Sequence, residues 1–204
     1  MIRVRTVALA ALMAMLVTST SNAEPFEGPH AEVFGGWNHD RNPLIRAGKD
    51  KHRDDLIYGA SAGYDLRFGQ VVAGISGEVG DSTAHNCRTI TATDFSQSAC
   101  SHAGVTLFGG GRIGYVASPS TLLYVTGGYA SARTSGSFTE KRGDQTVEGK
   151  AHYTSDGYRV GAGAELQLTD SIFTRLEYRY QRLDADNRAL SHQHQVATAV
   201  GLRF

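Results

Sequence analysis

The stretch that decides the fold is Val196-Ala-Thr-Ala-Val-Gly-Leu-Arg-Phe204. In an extended chain Val196, Thr198, Val200, Leu202 and Phe204 share one face, and Ala197, Ala199, Gly201 and Arg203 share the other. Alternation with period two marks a β-strand lying between two unlike surroundings. An apolar strand ending on an aromatic residue invites aggregation in water. What surrounds that apolar face is therefore the question the rest of the sequence must answer.

The same alternation recurs upstream. Roughly 30–40, 55–67, 71–82, 104–117, 121–134, 154–168 and 172–183 read as strands, with 192–204 the eighth. Each is long enough for a tilted membrane-spanning strand, which needs about 9–11 residues. The links alternate in character. Phe68-Gly-Gln70, Ala117-Ser-Pro-Ser120 and Thr169-Asp-Ser171 read as tight turns. Those at 41–54, 83–103, 135–153 and 184–191 are longer and polar. Short and long links in alternation put all the tight turns and both chain ends on one side. The expected fold is all-β, an eight-stranded antiparallel transmembrane up-and-down β-barrel.

The two faces separate a membrane barrel from a soluble one. One face carries Val33, Trp37, Tyr58, Tyr64, Ile75, Leu107, Ile113, Val125, Tyr129, Tyr158, Val160, Leu176, Tyr178, Tyr180 and Val200, without a charge among them. The other carries Glu32, Asp65, Arg67, Glu78, Arg112, Arg159, Glu165, Arg175, Glu177, Arg179 and Arg203. A soluble ligand-binding barrel has the reverse arrangement, apolar inside and polar outside. Charge within and grease without is what a lipid bilayer selects.

The amino-terminal sequence agrees. Arg3 and Arg5 precede an eleven-residue apolar run from Val7 to Val17, followed by Ser21-Asn22-Ala23. Eleven residues are too few for a helical span of about 20, so residues 1–23 read as a cleaved signal peptide and 24–204 as the barrel. Beyond it 18 basic residues face 20 acidic ones, a net of −2, which gives no electrostatic footprint for nucleic acid. Cys87 and Cys100 fall in one polar segment of an exported chain, where a disulfide is the natural reading. The competing reading, a two-cysteine metal site, lacks the tight spacing of metal ligands.

Gly161-Ala-Gly-Ala-Glu165, Leu176-Glu-Tyr-Arg-Tyr180, Leu123-Tyr-Val-Thr-Gly-Gly-Tyr-Ala130 and Val200-Gly-Leu-Arg-Phe204 together resemble the opacity-type outer-membrane proteins. These are small barrels similar to the barrel domain of outer membrane protein A. The resemblance implies a bacterial outer-membrane location, contact with lipid and lipopolysaccharide, and Phe204 as the assembly signal read by the barrel assembly machinery. Its motifs are specific for fold and weak for function.

Inside so narrow a barrel unpaired charge is costly, so the six inward arginines and five carboxylates are expected to pair. Glu78, Arg112, Arg159, Glu165, Arg175 and Glu177 are the expected members of that network, which reads as a plug rather than an ion path. The expected function is therefore structural and surface-interacting, through four outward loops, with a host or surface ligand as a further partner. Because the chain stops at Phe204, no wall-binding domain is expected.

Three other readings compete. Loop histidines, with His192-x-His194 the one tight pair, would serve haem or metal capture, the chemistry of some opacity-type relatives. The interior charges would serve a small pore. Ser191-His192 invites comparison with lipid A-modifying enzymes, but no third group in the nearby sequence orients such a pair. No enzyme activity and no cofactor are expected.

Overall fold

The computed structural model describes residues 25–41, 53–92, 95–142, 145–185 and 188–204. The expected signal segment and much of the polar link at 41–54 lie outside them. Nine strands follow in order: β1 (Gly28–Arg41), β2 (Arg53–Phe68), β3 (Val71–Ser82), β4 (His85–Ala92), β5 (Phe95–Ser118), β6 (Thr121–Arg142), β7 (Gln145–Gln167), β8 (Ile172–Ala185) and β9 (Arg188–Arg203). Eight of them form the ring, each hydrogen-bonded antiparallel to its neighbour. Strand β9 closes it on β1, with Val200 opposite Val33 and Val196 opposite Trp37. Closure leaves the spanning strands without a free edge, the condition for β-structure in hydrocarbon.

The tight turns lie where the sequence placed them. In the β2–β3 turn Gly69 has φ +64°, a left-handed conformation that a side chain resists. At the wall, Gly110 and Gly128 are cross-strand partners over the Phe108 ring. A Cβ on Gly128 would stand 2.3 Å from the Gly109 carbonyl oxygen. The missing side chains make room for Phe108 to lie against the inner wall.

The long links differ from the sequence reading. Most of 83–103 and 135–153 is strand: β4 pairs with the start of β5, and β5, β6 and β7 run to 24, 22 and 23 residues. At ~3.3 Å per residue these strands are about 70–80 Å long, well beyond a bilayer. The four-stranded extension continues the barrel wall beyond the ring, and an extra residue in β5 between Ala103 and Thr106 marks where it departs. The β8–β9 connection is also shorter than the expected 184–191 link, since β9 begins at Arg188. The cause is physical: Ser- and Thr-rich stretches in water need no apolar face to pair, so the hydrophobic alternation fades while the backbone ladder continues.

Apolar side chains cover the outside. Ile75 is 71% exposed, Val33 65%, Trp37 62% and Leu176 59%. No helix among the described residues is long and apolar enough to cross a membrane; the crossing elements are strands.

Candidate functional site

The lumen is filled in layers. At the turn end Phe26, Val72 and Leu122, all fully buried, form an apolar floor with Val116 against it. Arg67, expected among the interior charges, instead lies at this rim and donates to the carbonyls of Gly69 and Pro25.

Above the floor Asp65 is the hub. Arg112 grips it with two hydrogen bonds, Nε to Oδ1 at 2.9 Å and Nη2 to Oδ2 at 2.5 Å. Arg203 donates from Nη1 to the same carboxylate at 2.8 Å. Both guanidiniums also reach Glu165, at 2.8 Å each. Two cations and two anions close a ring joining β2, β5, β7 and β9. His30 Nδ1 stands 3.1 Å from Asp65 Oδ2. The Arg112 and Arg203 guanidiniums lie over the rings of Tyr124 and Phe173, so the charge-assisted ring is sandwiched by aromatic faces.

The next layer repeats the scheme. Arg175 pairs with Glu32, which also accepts from Ser61 Oγ at 2.5 Å. Glu177 accepts from Tyr124 Oη and from Arg179 Nε, both at 2.5 Å. Glu78 then takes Arg179 at 3.1 Å and Arg159 at 2.5 Å. Arg159 continues to Gln181, 2.8 Å away.

All six expected network residues face the lumen, and the structure brings Asp65, Arg203, Glu32, Arg179, His30, Tyr124 and Ser61 in with them. With Arg67 at the rim, five arginines meet five carboxylates. The inward parity of β1, which places His30 beside Glu32 and Phe34, is the signal that could have found His30.

Toward the loop end the ladder opens into a cavity of about 340 Å³, lined by Asn38, Asp55, Arg133, Gln193 and Gln195 and ending on Glu78, Arg159 and Arg179. On the outer face a different group collects. Tyr178 Oη meets His194 Nδ1 at 2.6 Å, and Tyr180 Oη meets His192 Nδ1 at 2.8 Å. His192 and His194 thus belong to strand β9 and to an aromatic band with Tyr158, and not to a loop. The Ser191 side chain lies outside the described residues. Cys87 and Cys100 are joined by a disulfide across the β4–β5 pair.

Comparisons with known proteins agree with this geometry. The outer membrane protein β-barrel domain family matches residues 8–204. A 22 kDa outer membrane protein of Rhizobium leguminosarum bv. viciae is 30% identical over 171 residues, covering 77% of this chain and 70% of its own. A 25 kDa outer-membrane immunogenic protein of Brucella canis is 28% identical over 156 residues, covering 76% of this chain. That match spans 64% of the Brucella protein's length. The crystal structure of Neisserial surface protein A superposes with a TM-score of 0.51 at 13% identity, over 87% of this chain and 97% of its own. The closed antiparallel ring is thus the fold of a solved outer-membrane barrel, and this chain belongs to the outer membrane protein β-barrel family.

Proposed function

We propose that this protein is a structural and surface-presenting barrel whose own side chains plug its lumen. The observation that carries this reading is the balance of five buried arginines against five carboxylates, stacked on the Phe26–Val72–Leu122 floor. A path through this interior would have to part several charge-assisted bonds at once, and each guanidinium left bare in so narrow a lumen is costly. The cavity above is then a blind vestibule. The work of the molecule falls on its outer face, which holds lipid, and on the β4–β7 extension, which stands clear of the bilayer. Relatives named immunogenic outer-membrane proteins fit that exposure.

Planar-bilayer recording tests the plug. The refolded protein is expected to give no discrete current steps; regular steps of one size would overturn the reading. Surface presentation has its own test, since Lys150 and Lys141 lie on the extension. On intact cells both are expected to react with an amine reagent that cannot cross the outer membrane. Labelling seen only after the cells are broken would show that the extension faces inward.

A further inference from the structure

We propose that His85 and His102 form a surface binding site for a borderline transition-metal dication, of the Cu²⁺, Ni²⁺ and Zn²⁺ class. The two residues are direct cross-strand partners at the base of the β4–β5 hairpin. Their rings are stacked, with centroids 6.3 Å apart and planes 23° from parallel. A metal–nitrogen bond of about 2.0 Å puts a ring centroid roughly 3 Å from the ion. Two rings on one ion therefore have centroids about 5–6 Å apart, close to the spacing here, and turning these exposed side chains out of the stacked arrangement brings both nitrogen lone pairs onto one ion.

Two further features prepare the site. His85 Nδ1 lies 3.3 Å from the carbonyl oxygen of Thr83. A carbonyl only accepts, so Nδ1 carries the hydrogen and Nε2 keeps its lone pair turned away from the backbone. This backbone contact is the usual outer support of a metal-binding imidazole. One alternation further along the same two strands, Cys87 and Cys100 are also directly opposed and covalently joined. The disulfide fixes the register that holds His85 opposite His102.

The row continues across the sheet. His102 is opposite Ser135, and Ser135 is opposite His152, whose Nδ1 is 3.1 Å from Ser135 Oγ. All four side chains are exposed on the extension, within reach of ions in water. No group of three or more metal-binding side chains gathers among the described residues, so the ion keeps solvent in its remaining positions and exchanges readily. Nitrogen donors of this kind favour Cu²⁺ over Ni²⁺ and Zn²⁺. Tyrosines hold His192 and His194 on the barrel wall, which makes that pair the internal control.

The test is titration of the refolded full-length protein in detergent with Cu²⁺, followed by calorimetry and electron paramagnetic resonance. One equivalent is expected to bind, with hyperfine structure from two imidazole nitrogens. His85→Ala and His102→Ala should each weaken binding by about tenfold or more, a loss of the size seen when a metal site's support is removed. Cys87→Ser/Cys100→Ser should weaken it less, and His192→Ala/His194→Ala should leave it unchanged. A heat-dependent shift in gel mobility checks that every variant still forms the barrel. Absence of binding to the wild type, or undiminished binding to a folded His85→Ala/His102→Ala protein, would overturn the proposal.

Discussion

Replacing Asp65 by alanine is expected to cost about 3–5 kcal/mol, the usual penalty for removing one partner of a buried ion pair. Asp65 is fully buried and accepts from two arginines on different strands. Its removal leaves Arg112 and Arg203, whose side chains are 4% and 2% exposed, sharing Glu165 as their one anion. Asp65→Asn keeps the shape but not the charge and should cost less. Pairing Asp65→Ala with Arg203→Leu restores the charge balance, so the double variant should be more stable than the sum of the single losses implies. Arg203→Leu alone strands the opposite charge, and the coupling between the two sites should fall between about 0.5 and 3 kcal/mol. Urea unfolding in lipid vesicles reads all of this through Trp37, the chain's one tryptophan, 62% exposed on the outer face. A loss below about 1 kcal/mol for Asp65→Ala would mean that water or a rearranged Glu165 compensates the two arginines. The ladder would then contribute little to holding the wall together.

The barrel was legible in the sequence because a bilayer punishes mistakes on both faces of a strand. Ile113 and Arg112 are adjacent in the chain and end in opposite environments, 55% and 7% exposed. Which charge meets which was not legible, since pairing depends on strand stagger around the ring. Asp65 and Arg203 are 138 residues apart and still touch. Arg67 has the same parity as Asp65, yet two more residues of strand carry it to the rim, opposite Val72 of the floor. The β4–β7 extension carries no strand signal in the sequence for a related reason. Its Thr89, Ser98, Ser137 and Thr139 face water on at least one side, so hydrophobic alternation carried little signal there. The histidine row in that extension depended on register, which only the paired strands reveal.

Replacing Ile75 by arginine is expected to destabilise the barrel by about 2–4 kcal/mol in vesicles, the cost of a cation near the middle of the hydrocarbon. Ile75 lies midway along the apolar outer row of β3, with Val71 below it and Val79 above, and is 71% exposed. In water that exposure would make the substitution harmless, because a protruding isoleucine gains nothing from its surroundings. The sign of the effect therefore reports the solvent directly. Ile90, 51% exposed on β4, supplies the control. Arginine there should change stability by no more than about 0.5 kcal/mol, as at an ordinary surface site. Leu66→Arg, near the turn end of β2, should cost about 1 kcal/mol or less, because a long cation there can reach the interface. Equal and small effects at Ile75 and Ile90 would mean that both rows face water. A steep loss at Ile75, a slight one at Leu66 and none at Ile90 would draw the edges of the bilayer on the barrel wall and set the extension outside it.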